Sequence, residues 1–495
     1  MPASFPLRLA ALNRLARHLT QPKFLAIWFL LCALPTGLGC ALLTPVGLFA
    51  DEVFHVARAD GLTHGEIFGQ MPPPDFAPFP VNTGVKIDNG ILAVLFARED
   101  AAAYPDKPLP AKVRHFAEEM PWFAGMTYYP TQMVAYAPVM YVPAALGLGA
   151  GKALGVTPLH AFFLGRVAMF LAYLALGTAA LALARHGQGL LFALLTLPAS
   201  VDLAASYNQD GLIFACCTLA VALLTRAGPR PNPAWGAALV LFSAVLCAKP
   251  PYAPLLLLWL PPLRGAWRRL GWVLAACVPP GLWLAHLSHA AFVDYQLPPY
   301  HPGPLWPGPR EVWLHDIVPD HNMQVLMAHP AQILRLPLVS LGLLHGDWML
   351  LLGRIGFGNS YIAAWEYPLL TVALGSAAFG AALDRAGSWR LADAGLVIMA
   401  LFFAFIGMEI SMYLTSTKAG MDRIDGVQTR YFAPFLPFFV FLLPWAGRGL
   451  TRLAGMPRVA QRTAGWFCLP SVIMAAVNSY ALPAYIFHIF RMPGP

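Results

Sequence analysis

Residues 24–61 read FLAIWFLLCALPTGLGCALLTPVGLFADEVFHVARADG, and the junction inside that stretch decides the fold. Phe24 to Leu43 carries no charge, and about 20 apolar residues suffice to cross the hydrocarbon core of a bilayer. Arg8, Arg14, Arg17 and Lys23 precede it, while TPVGLFADE beyond it lacks small residues at the spacing a signal peptidase needs. The run is therefore expected to remain as a first membrane helix. Asp51, Glu52 and His55 follow at once, where the chain leaves the membrane.

The rest of the sequence repeats the theme. Hydrophobic residues make up 58% of the 495 and charged residues 11%, against roughly a quarter charged in soluble domains, so the chain reads as a polytopic membrane protein. No soluble domain of ordinary size is left over. The net charge of +8 comes from basic residues scattered singly between apolar runs, which argues against a nucleic-acid partner. All seven cysteines fall inside apolar runs, without metal spacing, and read as small hydrophobes.

Lys and Arg concentrate in cytoplasmic loops, so their positions orient the chain. The N-terminal cluster, Arg185, Arg226 with Arg230, Arg264 with Arg268 and Arg269, Arg385 with Arg390, and Arg448, Arg452, Arg458 and Arg462 all fit the cytoplasmic side. Helices near 160–184, 188–205, 209–226, 233–248, 252–263, 270–290, 361–383, 391–413, 430–447 and 463–487 then alternate, giving about eleven crossings with the first. Two apolar stretches are expected outside. Residues 132–151 would invert every later cluster and contain Pro138 and Pro143, while 333–352 contain Arg335, His345 and Asp347, costly at the bilayer centre. The result is one all-α membrane domain over 1–495, with external loops at 46–159 and 291–360 that carry short helices.

That orientation brings scattered polar residues to one level, the outer membrane boundary. Asp51 and Glu52 follow helix one; Asp202, Asn208 and Asp210 lie in VDLAASYNQDG; Lys249 lies in CAKPPY; Glu409 sits about one turn inside its helix; Arg423, Asp425, Gln428 and Arg430 lie in MDRIDGVQTRYF. Ionisable groups at this depth are costly and are usually kept to bind or react with something. Carboxylates beside Lys and Arg suit activation of a hydroxyl, a grip on phosphate or a divalent metal. Taken singly, Asp210 also reads as a helix-start residue, Lys249 as a snorkelling side chain and Arg430 as an interfacial anchor. His55 lies four residues after Asp51, on one helical face with it, as a chelator with Asp51 and Glu52 or as a hydrogen-bonded histidine. His301, His315, His321, His329 and His345 lack zinc spacing. Trp122, Tyr128, Tyr129, Trp306 and Trp313 read either as sugar-stacking faces or as an interfacial belt.

The motifs DEVFHVARADG, YYPTQMVAYAPVMYVPAALGLG, LPASVDLAASYNQDGL, AKPPYAPLLLLWLPP, RIGFGNSYIAAWEYP and GVQTRYFAPFLPFF resemble the bacterial membrane family known as domain of unknown function 2142. They run from 51 to about 440, with FGN departing from a GWLD-like stretch in the fifth. That family in turn looks like the GT-C glycosyltransferases. The resemblance implies a bacterial cytoplasmic-membrane enzyme taking sugars from polyprenyl phosphates to a glycan acceptor on the outer face. It places Asp51 and Asp210 where such enzymes carry acidic residues.

On this reading Asp51 is the base, and Glu52 and Asp210 orient it. An optional Mg or Mn ion would sit on Asp51 and Asp210. His55, Arg58, Lys249, Tyr252, Glu409, Gln428, Arg430 and Tyr431 form the substrate-binding set, with Arg430 and Lys249 on the phosphate. Transport of a lipid-linked glycan and a non-catalytic scaffold role in envelope assembly are the competing expectations.

Overall fold

The computed structural model describes residues 21–73, 83–96, 118–227, 231–261, 266–290, 317–343, 349–356, 362–383, 391–418, 420–453 and 464–491. Arg8, Arg14, Arg17, Arg230, Arg264, His301, Trp306, Trp313, His315, His345, Asp347, FGN at 357–359, Arg385, Arg390, Arg458 and Arg462 lie outside the described residues. So does much of the expected second external loop.

In chain order the helices are α1 (Pro22–Leu43), α2 (Glu52–Thr63), α3 (Asn89–Phe96), α4 (Val142–Ala153), α5 (Pro158–Leu183), α6 (Gln188–Leu195), α7 (Pro198–Ala204), α8 (Gln209–Leu224) and α9 (Pro233–Ala248). Then follow α10 (Trp267–Ala276), α11 (Val278–Ala290), α12 (Pro319–Ala328), α13 (Gln332–Leu343), α14 (Leu350–Gly353), α15 (Glu366–Leu383), α16 (Leu391–Ser416), α17 (Phe439–Leu453) and α18 (Leu469–Arg491).

The chain is mostly helical, and among the described residues six helices are long and apolar enough to cross a membrane: Lys23–Leu43, Pro158–Leu183, Trp267–Leu287, Glu366–Leu383, Asp393–Ser416 and Trp466–Phe490. The number becomes eight if two sharply bent pairs each make one span, α7 with α8 at 116° and α12 with α13 at 113°. The expected run at 188–205 is instead two short buried helices, α6 and α7, broken before Pro198. The runs at 252–263 and 430–447 contain 3-10 segments, Pro250–Trp259 and Thr429–Phe438. Their internal prolines, Pro254, Pro434 and Pro437, lack the N–H an α-helical ladder requires, which periodicity alone does not register.

Residues 132–151 form two 3-10 turns and the short α4, packed on α2 and α5. The all-α expectation misses a small antiparallel sheet. Here β1 (Gly84–Asp88) pairs with β2 (Met126–Pro130), Val85 opposite Tyr129.

The centre is built by α1 against α5 and α18, and by α8 against α5 and α9. Small residues let these helices approach: a Cβ on Gly39 would lie 2.7 Å from the Pro483 side chain. Gly211 does the same at the α7–α8 bend, where a Cβ would lie 2.6 Å from Ala204 Cα. That bend is what carries Asp210 to its position. Asn208 fixes the start of α8, its side-chain oxygen accepting from the Asp210 N–H at 2.9 Å.

Candidate functional site

The turn joining α1 to α2 is held from below. Glu52 is 1% exposed and meets Arg166 of α5 in a two-pronged pair, Nε to Oε1 at 2.8 Å and Nη2 to Oε2 at 2.6 Å. The same guanidinium donates to the carbonyls of Ala41, Thr44 and Pro45, groups left over where α1 ends. Glu52 Oε2 also accepts from the Gly47 N–H at 2.7 Å, closing the turn. Arg166 lies over the rings of Phe49 and Phe162, so both charges are sealed from solvent.

Above this anchor Asp51 is forced into an unusual backbone state. Its φ is 56°, and it is the one non-glycine residue with positive φ among the described residues. A left-handed residue costs roughly 1–2 kcal/mol, least for Asp and Asn, and such strain persists where the surroundings over-determine it. Asn208 contributes, donating to the Ala50 carbonyl at 3.2 Å. Three segments distant in sequence thereby set where the Asp51 carboxylate stands.

From Asp51 runs an alternating chain of charges. Arg430 Nη2 meets Asp51 Oδ2 at 2.5 Å, Arg430 Nε meets Asp210 Oδ2 at 3.3 Å, and Lys249 Nζ meets Asp210 Oδ1 at 3.3 Å. Asp210, Lys249 and Arg430 are largely buried, while Asp51 retains 31% of its side-chain exposure. Tyr431 lies 4.3 Å from the Lys249 ammonium, measured to the ring centre, and Tyr136 lies 5.4 Å away on the same measure. Lys249 reaches this point because α9 stops there, before Pro250 and Pro251.

These groups form one end of a cavity of about 520 Å³. Asp51, His55, Gln209, Asp210, Lys249 and Arg430 bring its charged and polar groups together; Leu284 and Leu287 of α11 and Met408 and Met412 of α16 supply apolar surface, with Ser411, Thr415 and Ser416 of α16 beside them. Leu284 lines the cavity while 45% exposed, so the apolar side is not sealed. His55 donates to or accepts from the Tyr141 hydroxyl at 2.7 Å. Burial pushes its pKa down to about 4 against the opposing pull of Asp51 and Asp210, leaving the ring neutral at physiological pH.

Of the residues singled out in the sequence, Asp51, His55, Asp210, Lys249, Arg430 and Tyr431 come together in this cavity. Glu52 does not: its carboxylate is turned into the protein and occupied by Arg166. Arg58 is likewise committed elsewhere, donating to the Glu66, Ile67 and Tyr136 carbonyls. Tyr252 stands behind the wall, its hydroxyl donating to the Tyr431 carbonyl at 2.7 Å. Gln428 lines a separate hollow of about 50 Å³ with Asp202, Arg354 and Arg430.

Glu409 is fully buried on a different part of α16, toward Ser340 of α13, and does not line the large cavity. Trp122 donates to the Val156 carbonyl, and Tyr128 and Tyr129 belong to β2; none of the three lines the cavity.

Arg430 stands between Asp51 and Asp210, the pair expected to hold an optional metal ion, and Lys249 holds the remaining Asp210 oxygen, so a divalent ion there would displace both cations. Among the described residues no group of three or more His, Cys, Asp or Glu is placed to hold a metal.

Sequence reading passed over Arg166, Gln209, Tyr136 and Tyr141. Arg166 had a signal, being a lone charge inside the apolar run 158–183, where an arginine needs a buried partner. The other three have none, since their proximity arises only in the fold.

The family model described as "Predicted membrane protein (DUF2142)" matches residues 34–439, and the chain belongs to that family. Comparison with curated proteins and with solved structures gave no match.

Proposed function

We propose that the chain is a membrane glycosyltransferase of GT-C type, moving a sugar from a polyprenyl phosphate to a glycan or lipid acceptor. On this reading it lies in a bacterial cytoplasmic membrane with its N-terminus inside. About eleven crossings would then carry the site on the outer face. The observation that carries the proposal is the two-sided cavity. Carboxylates and cations meet at one end, and an incompletely sealed apolar wall lies between α11 and α16. A phosphate with a long isoprenoid tail presents the matching halves, charged head and apolar chain.

The chemistry follows from the charge chain. An acceptor hydroxyl attacks the anomeric carbon as Asp51 takes its proton. The bond from that carbon to the phosphate oxygen breaks, and the lipid phosphate leaves with the electron pair, its charge met by Arg430 and Lys249. A single displacement inverts the anomeric configuration. Asp51 is tied to Arg430 in the free protein, so a phosphate that draws Arg430 away frees the carboxylate to act as base. Substrate binding and activation of the base are then one event. Asp210 holds both cations toward the phosphate. No step uses a metal ion.

The two helix pairs bent beyond 110° favour a second reading, transport of a lipid-linked glycan, because broken helices are common in transporters. One assay separates the two. Purified protein in sealed liposomes is given radiolabelled polyprenyl-phosphate sugars and an envelope glycan fraction. Transfer of label from the lipid to the glycan, with release of lipid phosphate, is the expected result. Label that crosses the bilayer while still attached to lipid would establish transport instead.

A further inference from the structure

The geometry points to Gln209 as the residue that reads the sugar of the lipid donor, an inference that rests on the donor reading above. Gln209 opens α8 directly before Asp210, with the helix start fixed by Asn208. Its side chain is 1% exposed and lines the cavity, yet neither Oε1 nor Nε2 has a hydrogen-bond partner. The polar groups around it are committed: Asp210 to Lys249 and Arg430, His55 to Tyr141. A buried amide with nothing to bond destabilises a folded protein, so a ligand that completes it accounts for its presence.

The amide also specifies what that ligand offers. It carries donors and an acceptor and no charge. An isoprenoid tail answers neither kind of group, and an ionised phosphodiester offers acceptors alone, leaving Oε1 unfilled. A sugar hydroxyl both donates and accepts, and two neighbouring hydroxyls would fill both ends of the amide. Sites that bond a hydroxyl reject ligands without it far more strongly than apolar pockets reject a lost methylene.

The test measures binding to the full-length protein in lipid nanodiscs. The probes are farnesol, farnesyl phosphate and a panel of farnesyl phosphates carrying single hexoses and pentoses. The wild type should bind farnesyl phosphate more tightly than farnesol, and at least one phosphosugar more tightly still. Gln209→Met, which keeps length and removes hydrogen bonding, should weaken that phosphosugar roughly ten-fold, about 1.4 kcal/mol. It should leave farnesyl phosphate within about two-fold of wild type, and leave the ligand-free melting temperature unchanged or raised, as expected when an unsatisfied amide is replaced by an apolar chain.

A Met variant that binds the phosphosugar as well as wild type, or weakens both lipid phosphates alike, overturns the assignment. A lower melting temperature without sugar-selective loss also overturns it, marking the amide as structural. No gain from any sugar in the wild type removes the inference and leaves the lipid-phosphate reading standing. A wild type that binds farnesyl phosphate no better than farnesol removes both.

Discussion

Arg166→Ala should destabilise the protein strongly, costing about 3–5 kcal/mol, the range for breaking a buried ion pair by removing one partner. It strands the Glu52 carboxylate in a fully enclosed position and releases the carbonyls of Ala41, Thr44 and Pro45 at the end of α1. Folded proteins hold only about 5–15 kcal/mol in reserve, so the variant should give little monodisperse protein and a sharply lower melting temperature. The double variant Glu52→Leu with Arg166→Met should recover the part of that loss due to the stranded charge, because apolar side chains of similar volume often replace a buried pair without penalty, while the carbonyls of Ala41, Thr44 and Pro45 and the Gly47 N–H stay unpaired. It should also bind farnesyl phosphate, since Glu52 does not reach the cavity. A double variant as unstable as the single one, or a stable one unable to bind, would show that the pair does more than hold the turn.

Arg430→Gln should weaken farnesyl phosphate binding by about 10- to 100-fold, the range for losing a charge-assisted hydrogen bond. Arg430 is the bridge of the charge chain, touching Asp51 and Asp210 at once, and removing it leaves two carboxylates facing the phosphate with Lys249 alone to offset them. Arg430→Lys should restore part of the affinity, because it returns the charge without the planar fork that spans two acids. Equal binding by wild type and Arg430→Gln, read by titration at fixed salt, would place the phosphate elsewhere.

Much of this site is legible in the sequence. Asp51, Asp210, Lys249 and Arg430 lie far apart in sequence, but each stands at the end of an apolar run, and counting sides from the basic residues gives the expectation that all four share one level; the fold brings their side chains together. What counting could not do was say which way a side chain turns. Glu52 follows Asp51 directly, yet the left-handed turn at Asp51 sends the two carboxylates in opposite directions, one to the cavity and one to Arg166. Glu409 shares a helix with Met408 and Met412, and it faces α13 while they face the cavity.

The fold was legible to the same degree. Long apolar runs announced their helices. Two runs with closely spaced prolines, Pro250–Trp259 and Thr429–Phe438, looked similar in composition and became 3-10 segments, whereas the single Pro35 and Pro483 stay inside the α-helices α1 and α18; the spacing of missing N–H groups is not part of a hydropathy pattern. The small sheet of β1 and β2 escaped notice because each strand is only five residues long and their pairing joins residues about 40 positions apart.

The most direct measurement of the central claim is the initial rate of sugar transfer from a labelled polyprenyl-phosphate sugar by the Asp51→Asn protein. The variant is nearly isosteric, and asparagine tolerates the left-handed backbone as aspartate does, so the protein should fold and bind farnesyl phosphate. With the proton acceptor gone, transfer should fall by about 10²–10⁴-fold, the range for loss of a positioned base. Undiminished transfer by a folded Asp51→Asn protein would contradict the assignment of Asp51 as the base.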